Sequence, residues 1–218
     1  MRYLYIDTSS SFLYSGIVEN GKLVGSVTEQ MDNDLSRITL KKISEMFEEA
    51  NLKPNDIDKI IVVNGPGSFT GIRVGITIAK TYAWGLNKEI TTITSLEAMA
   101  NSVETDKVKI PLIDARRNYV YSAIFDGDKE VLNGCHIYLD DLKQKIESLG
   151  KEVCIITNDE IELDYETKSY TPDILKIVEK YKDREKINPH MVNPDYLKLT
   201  EAEEKNKKND WRSKKNWG

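Results

Sequence analysis

An uninterrupted apolar run at residues 60–63 leads into a glycine-rich segment and then into a long apolar helix, and this unit constrains the fold most strongly. A run of this kind is typical of a strand that is covered on both faces. The helix predicted over residues 71–86 has almost no polar face, so it must be buried on nearly every side. We therefore expect a layered α/β protein in which this helix covers a sheet.

Three short apolar segments precede this unit and predict an antiparallel opening of the sheet. Strands are expected at 3–6, 12–19 and 22–29, and the Asn20-Gly21 pair is a strong hairpin signal. An amphipathic helix is predicted over 35–50, with Asn33 or Asp34 as its N-cap. A strand at 91–94 and a helix at 96–102 complete an order that predicts a mixed sheet flanked by helices.

The second half of the chain begins again with strands and predicts a smaller lobe. Strands are expected at 108–113, 120–125, 130–138 and 153–157, and helices at 140–149 and 172–182. We therefore divide the chain into an N-terminal lobe (1–104) and a C-terminal lobe (105–200). Residues 201–218 are mostly charged or polar, so we expect a disordered tail.

The glycine-rich segment at 64–75 leaves two hypotheses open. It follows a predicted strand and opens a helix, where outward-pointing backbone N–H groups suit an anion. It matches neither the phosphate-binding P-loop nor the dinucleotide fingerprint, so its glycines could instead serve a tight turn and close packing. The candidate nucleotide or phosphate residues are Asp7, Thr8, Ser9, Gly65, Gly67, Ser68, Thr70 and Asp114.

Few side chains in the sequence suit metal or nucleophilic catalysis. His136 and His190 lie far apart, and Cys135 and Cys154 form no CxxC pair, so no metal motif can be assembled. The formal net charge of -5 argues against a protein that coats nucleic acid with its whole surface. We expect no catalytic residue, no bound metal and no tightly bound cofactor.

The hydropathy of the chain predicts its location. The apolar run at 3–6 meets a charge at once, which is unlike a signal peptide. No segment approaches the roughly 20 apolar residues that a membrane span requires. We therefore expect a cytoplasmic protein without a membrane partner.

Several segments resemble the TsaB (YeaZ) family, the bacterial accessory subunits for making threonylcarbamoyladenosine (t6A) in tRNA. They read IDTS at 6–9, VVNGPGSFTGIRVGITIAKTYAWGL at 62–86, TSLEAMA at 94–100, PLIDARRNYVYSAIF at 111–125 and NPDYLKL at 193–199. The resemblance implies a two-lobed fold like that of the actin, Hsp70 and sugar-kinase ATPases (the ASKHA fold). It also implies a non-catalytic scaffold, because the catalytic relative TsaD carries an HxxxH metal site that this chain lacks.

The resemblance further implies a set of partners. The expected ones are a TsaD-type catalytic subunit, a TsaE-type ATPase, a second copy when the chain is alone, and ATP or ADP with magnesium at a subunit interface. The chain would contact tRNA only indirectly or through its tail, where Trp211 and Trp217 lie among basic residues. The implied partner interface on the first two helices comprises Leu35, Ile38, Ile43, Met46, Phe47, Gly71, Val74, Gly75, Ile76, Ile78, Ala79, Tyr82 and Ala83.

Two departures from the family pattern affect these expectations. Many members have a His-Ser pair where this chain has Leu35-Ser36, so a role of that histidine is not expected here. Thr157-Asn158-Asp159 stands where a glycine-containing nucleotide turn would be expected, which argues against independent nucleotide binding and leaves shared binding at a subunit interface open. An ATPase or phosphotransferase using Asp7 and Asp114 stays the alternative function, and a peptidase would need a site that the sequence does not offer.

Overall fold

A computed structural model of the chain describes residues 1–31 and 35–197, and its first half forms a five-stranded sheet. The strands are β1 (Arg2–Asp7), β2 (Phe12–Glu19), β3 (Lys22–Gln30), β4 (Lys59–Val63) and β5 (Glu89–Ile93), in the order β3-β2-β1-β4-β5. The first three strands are antiparallel, and β4 and β5 run parallel to β1. This arrangement confirms the mixed sheet that the sequence predicts.

Helices cover both faces of this sheet. On one face lie α1 (Leu35–Glu49) and α2 (Phe69–Gly85), which bury Ile60 and Val62 of β4. The opposite face buries Ile61 and Val63 against α5 (Ile174–Tyr181). All five residues of β4 are buried, because every side chain of the strand meets either a helix layer or its neighbours.

The second half forms another five-stranded sheet in the order β10-β9-β6-β7-β8. Its elements are β6 (Val108–Asp114), β7 (Tyr119–Asp126), β8 (Lys129–Tyr138), α4 (Leu139–Leu149), β9 (Val153–Ile156) and β10 (Glu166–Lys168). One face packs on α4, and the other packs on α3 (Ser95–Ser102). Short 3-10 turns occur at Pro54–Asp56 and Pro189–Met191.

The chain returns to the first sheet after the second one is complete. Helix α5 lies within the predicted C-terminal lobe in sequence, yet Ile177 and Val178 pack with Tyr5 of β1. Lys59 of β4 holds the end of α5, since its Nζ donates to the carbonyls of Lys182 at 2.7 Å and Arg184 at 2.6 Å. The domain limits drawn from the sequence stay a prediction, and α5 joins the two halves.

Most predicted elements are present within one or two residues of their expected ends. The three-residue strand β10 was not predicted, because its sequence Glu-Thr-Lys has no apolar residue. The predicted N-cap of α1 (Asn33 or Asp34) and the predicted disordered tail lie outside the described residues. Among the described helices, none is long and apolar enough to cross a membrane.

Candidate functional site

A cleft of about 460 Å³ lies where loops from both sheets meet. Ser9 follows β1 and Ser68 precedes α2, and these residues belong to the wall formed by the first sheet. Asp114 ends β6 and Asp159 follows β9, and these belong to the wall formed by the second sheet. Ligands of α/β proteins commonly bind at such carboxyl ends of strands. Four of the eight candidate phosphate residues line the cleft, namely Ser9, Gly67, Ser68 and Asp114, and the other four do not.

The carboxylate of Asp7 is enclosed by its own chain. Asp7 is 3% exposed, and its Oδ1 accepts hydrogen bonds from Ser9 N at 2.9 Å and Ser9 Oγ at 2.7 Å. Its Oδ2 accepts one from the hydroxyl of Tyr5 at 3.2 Å. Burial raises the pKa of Asp7, and the hydrogen bonds from Ser9 and Tyr5 oppose that rise. Both oxygens thus serve the internal structure of the first wall.

The glycines of the 64–75 segment allow close contact with the loop after β1. A Cβ on Gly71 would collide with the carbonyl oxygen of Thr8, and a Cβ on Gly67 would collide with that of Ser9. Gly67 also has a φ of +149°, which residues with a side chain rarely adopt. Thr8 Oγ1 in turn donates to the carbonyl of Gly71 at 2.7 Å. This geometry supports the close-packing hypothesis for these two glycines.

Two backbone N–H groups at the start of α2 already donate hydrogen bonds within the chain. Ser68 N donates to the carbonyl of Ser9 at 2.7 Å, and Ser68 Oγ caps the helix by accepting from Gly71 N at 3.2 Å. Gly65 is buried, whereas Thr70 is exposed in the first turn. An anion bound at this helix start would have to compete for these N–H groups with the carbonyl of Ser9 and the hydroxyl of Ser68.

The wall formed by the second sheet is more open. Asp114 is exposed, and its Oδ1 accepts from Arg116 N at 2.8 Å. The N–H of Asp114 donates to Asp159 Oδ2 at 2.7 Å, which holds the carboxylate of Asp159 at the end of β6. Tyr170 also lines the cleft, and burial together with the charge of Asp7 raises its pKa. Free carboxylate oxygens are therefore more available on this wall than on the first.

These residues fit a magnesium nucleotide poorly as they stand. Asp7 has no oxygen directed into open space, and the described residues contain no group of three His, Cys, Asp or Glu side chains that could hold a metal ion. A magnesium ion in the cleft would depend on Asp114 and Asp159 and on groups outside this chain. Nucleotide binding stays a proposal for a subunit interface.

The implied partner residues on α1 and α2 fall into two groups by burial. The buried group packs into the core of this chain and comprises Ile43, Met46, Phe47, Gly71, Gly75, Ile76, Ala79 and Ala83. The partly exposed group comprises Ile38, Val74, Ile78 and Tyr82. Leu35 opens α1, and its side chain lies outside what the structure describes. Only the second group can touch another protein without a rearrangement of the lobe.

The expectation that α2 needs a partner is met in part within the chain. The ring of Tyr82 lies edge-on to that of Phe47 of α1, with 6.4 Å between their centroids. Val74, Ile78 and Tyr82 stand four residues apart and form one half-buried apolar stripe, while Leu40 of α1 is 49% exposed. Leu40 lies seven residues before Phe47 and therefore on the flank of α1 that faces α2, whereas Ile38 points to the other flank. We call Leu40, Val74, Ile78 and Tyr82 the helix-pair surface. Helix α1 covers one flank of α2 and leaves this surface open.

Aromatic side chains at both ends of α2 were not predicted as exposed features. Phe69 is 56% exposed and stacks on Tyr196 with 5.6 Å between ring centroids, and Arg73 lies over the Phe69 ring at 3.8 Å. Trp84 at the other end is 69% exposed and contacts His190. Periodicity could not reveal this, because a helix that looks apolar all round gives no signal for the side that faces solvent.

The two mixed sheets with their shared cleft define the class: an α/β protein with the two-lobed ASKHA fold. A crystal structure described as YeaZ from Pseudomonas aeruginosa superposes with a TM-score of 0.75 at 19% identity, over 90% of this chain and 99% of the other. Another crystal structure, described as an uncharacterized protein with similarity to peptidase YEAZ from the same organism, gives a TM-score of 0.77 at 17% identity over the same shares.

Sequence comparison agrees with the fold. The family model described as TsaD, tRNA N6-adenosine threonylcarbamoyltransferase, matches residues 12–168. A Bacillus subtilis protein named tRNA threonylcarbamoyladenosine biosynthesis protein TsaB is 29% identical over 94% of this chain and 97% of its own length. A Haemophilus influenzae protein of the same name is 32% identical over 54% of this chain and 51% of its own length. The chain belongs to this family, and within it to the TsaB (YeaZ) group.

Proposed function

We propose that this chain takes part in t6A biosynthesis as a non-catalytic scaffold subunit. In this proposal it binds and supports a TsaD-type catalytic subunit during threonylcarbamoyl transfer to adenosine 37 of tRNA. Family membership and the near-full-length TsaB relative support the pathway. The observation that carries the scaffold role is the open helix-pair surface, together with a cleft in which the Asp7 carboxylate next to the first wall accepts hydrogen bonds only from within the chain.

The helix-pair surface suits a protein partner. Its exposed side chains are aliphatic or aromatic, and they lie on two packed helices that a partner helix could approach. The same surface would serve the homodimer when the catalytic subunit is absent. A TsaE-type ATPase would join the pair, and an ATP or ADP with magnesium at the subunit interface would draw on Asp114 and groups of the partner.

A matched pair of variants tests the surface. Leu40→Glu changes a leucine of the helix-pair surface that is 49% exposed, and Leu23→Glu changes a leucine of β3 that is 45% exposed. Because both side chains are largely in solvent, both variants should fold. Leu40→Glu should weaken binding of the catalytic subunit at least tenfold, about 1.4 kcal/mol, since a charge would be buried in an apolar contact. Leu23→Glu should bind as the wild type does.

Size-exclusion chromatography with light scattering would measure association, and ATP turnover and tRNA modification would be assayed on each peak. The proposal expects a stable complex and turnover only in the mixture. Absence of a complex, together with ATP turnover by the isolated chain, would favour the ATPase alternative and would direct mutagenesis to Asp114. A charged residue at Ile76 or Ala83 is unsuitable for this test, because both are buried in the core and the lobe would unfold.

A further inference from the structure

The turn between β6 and β7 holds three consecutive residues in the left-handed region. Arg116, Arg117 and Asn118 have φ angles of 66°, 55° and 61°. This conformation is unfavourable for arginine because of its Cβ, and asparagine tolerates it better. Ala115 N donates to the carbonyl of Tyr119 at 2.9 Å, and Tyr119 N donates to that of Arg116 at 3.1 Å, which closes the turn. Strained turns of this kind concentrate at functional sites.

The two arginine side chains of this turn are exposed and uncommitted. Within residues 1–31 and 35–197, neither guanidinium makes a hydrogen bond or an ion pair. Arg184, by comparison, pairs with Glu97, and Lys107 pairs with Glu152 at 3.0 Å and Glu166 at 2.8 Å. The turn thus presents two adjacent cations that have no partner in the described part of the chain.

Four aromatic rings lie directly beside this turn. Tyr119 and Tyr121 of β7 stand opposite Tyr138 and His136 of β8, so the four side chains share one face of the sheet, which we call the aromatic face. Tyr119 stacks on His136 with 4.7 Å between centroids and 7° between planes, and it meets Tyr138 edge-on at 5.3 Å. Tyr119 is 41% exposed, and the other three rings are partly exposed.

The aromatic face is on the side of the sheet that α4 does not cover. Val120 and Ile124 of β7 and Ile137 of β8 alternate with the aromatic residues and pack in the cluster that contains α4. Tyr121 at the inner end also lines the cleft. A ligand could therefore run from the turn across the rings as far as the edge of the cleft, where the carboxylates of Asp114 and Asp159 would repel a phosphate.

We propose that the aromatic face and Arg116 and Arg117 bind single-stranded RNA. Unpaired bases would stack on Tyr119 and its neighbours, and phosphates would meet the two guanidinium groups. An acidic peptide would satisfy the arginines and leave the flat rings without a planar partner, so RNA fits the combination better. Exposed Asp140 and Asp141 start α4 after Tyr138, so the backbone of the RNA would pass at the arginine end. The proposal goes beyond the scaffold role and does not require the catalytic subunit.

Fluorescence anisotropy with labelled oligoadenylate RNA and the purified full-length chain tests this proposal. Tyr119→Ala should weaken binding at least about fivefold, because a stacked base is lost, whereas Tyr119→Phe should retain binding. Arg116→Asn with Arg117→Asn should lower the slope of log affinity against log salt by about 1.4, since two phosphate contacts on a single strand are lost. Asparagine tolerates the left-handed backbone, so this double variant should keep the turn.

The control removes two cations elsewhere. Lys22→Ser with Lys53→Ser makes the same change in net charge at exposed positions in the first half of the chain, away from the aromatic face. It should leave the affinity for RNA within twofold of the wild type. A blunt RNA duplex should bind more weakly than oligoadenylate, because its bases are already stacked.

Several results would overturn the proposal. Wild-type chain that binds no oligoadenylate, or a Tyr119→Ala variant that binds as tightly as the wild type, would remove its basis. If Tyr119→Ala abolished binding of the catalytic subunit and left RNA affinity unchanged, the face would be a protein-docking site instead. Failure of the scaffold proposal would appear in the Leu40→Glu experiment and would not affect these measurements.

Discussion

The two walls of the cleft use similar residue types in opposite ways. On the first wall, Asp7 and the hydroxyl of Ser9 hydrogen-bond to each other inside the chain, and the glycine segment packs on their loop. On the second wall, Asp114 is exposed, and the adjoining turn holds Arg116 and Arg117, whose side chains are exposed and have no partner among the described residues. Both sets stand at the ends of strands, yet only the second is free to bind something else.

A polar loop at the end of a strand is therefore not by itself a binding site. Buried polar groups must find hydrogen-bond partners, and on the first wall they find them within the fold. A polar side chain that is exposed in a strained turn and makes no hydrogen bond within the described residues does not stabilise the fold in this way. In this protein, a binding site is therefore better located by asking which polar groups already have hydrogen-bond partners within the fold than by asking which sequence motif they belong to.

The largest effect is expected from a side chain placed on the glycine segment. Gly71→Ala should destabilise the protein by about 3 kcal/mol or more, because the added Cβ meets the backbone carbonyl of Thr8 and neither strand nor helix can move away cheaply. Thermal or urea unfolding would measure the loss. Gly85→Ala in the same helix has nothing within 4 Å of the added Cβ and should be neutral or slightly stabilising. Equal stabilities of the two variants would contradict the close-packing role of Gly71.

The next effect concerns the enclosed carboxylate of the first wall. Asp7→Ala should destabilise the protein by about 1–3 kcal/mol, because the buried donors of Ser9 and Tyr5 lose their acceptor. Asp7→Asn keeps an oxygen for Ser9 and should cost less. Association with the catalytic subunit should be unchanged in Asp7→Asn if the chain is a scaffold. A folded Asp7→Asn variant that loses all function would break the contrast between the two walls.

The pH dependence of stability gives a further check on Asp7. Since its pKa is higher in the folded than in the unfolded chain, the folded state binds the proton more tightly. The stability of the wild type should therefore fall, relative to Asp7→Asn, as the pH rises above the unfolded pKa of about 3.9. Urea unfolding of both proteins across acidic and neutral pH would measure this difference. A constant difference would mean that Asp7 titrates as it does in the unfolded chain.

The smallest effect is expected on the second wall and has the opposite sign. Arg117→Gly should stabilise the protein by up to about 1 kcal/mol, because glycine adopts the left-handed region without the penalty that the Cβ of arginine incurs. The same variant should bind oligoadenylate RNA more weakly than the wild type. A loss of stability would show that the Arg117 side chain supports the fold, and the two walls would then be alike.

Much of the fold could be predicted from the sequence because its signals are local. The Asn20-Gly21 hairpin, the apolar strand at 60–63 and the amphipathic pattern of α1 depend on neighbours in sequence, and the structure confirms each of them. The return of α5 to the first sheet could not be predicted, since the pattern of Ile174, Ile177 and Val178 specifies a buried face and not the sheet that it covers.

The candidate site was predictable in position and only partly in detail. Periodicity predicted a buried face on α1 and an α2 that is buried on nearly every side, and it could not separate the apolar residues that the chain itself covers from those that stay exposed. Ile76 and Ile78 look alike in sequence, yet the first lies in the core and the second on the helix-pair surface. The exposed Leu40 was missed because it stands three residues before Ile43 and seven before Phe47, at the spacing of the buried face, so periodicity gives no signal for its exposure.

The order of the elements, the glycine segment and the family resemblance can be read from the amino-acid sequence, because each is encoded in contiguous residues. The environment of each polar group around the cleft depends on the three-dimensional packing. Asp7 and Asp114 both end a strand, and each accepts a hydrogen bond from the N–H two residues further on. What distinguishes them is that the carboxylate of Asp7 is enclosed, with the residue 3% exposed, whereas Asp114 is exposed. That enclosure depends on the packing of loops against one another, a three-dimensional property that no local pattern encodes.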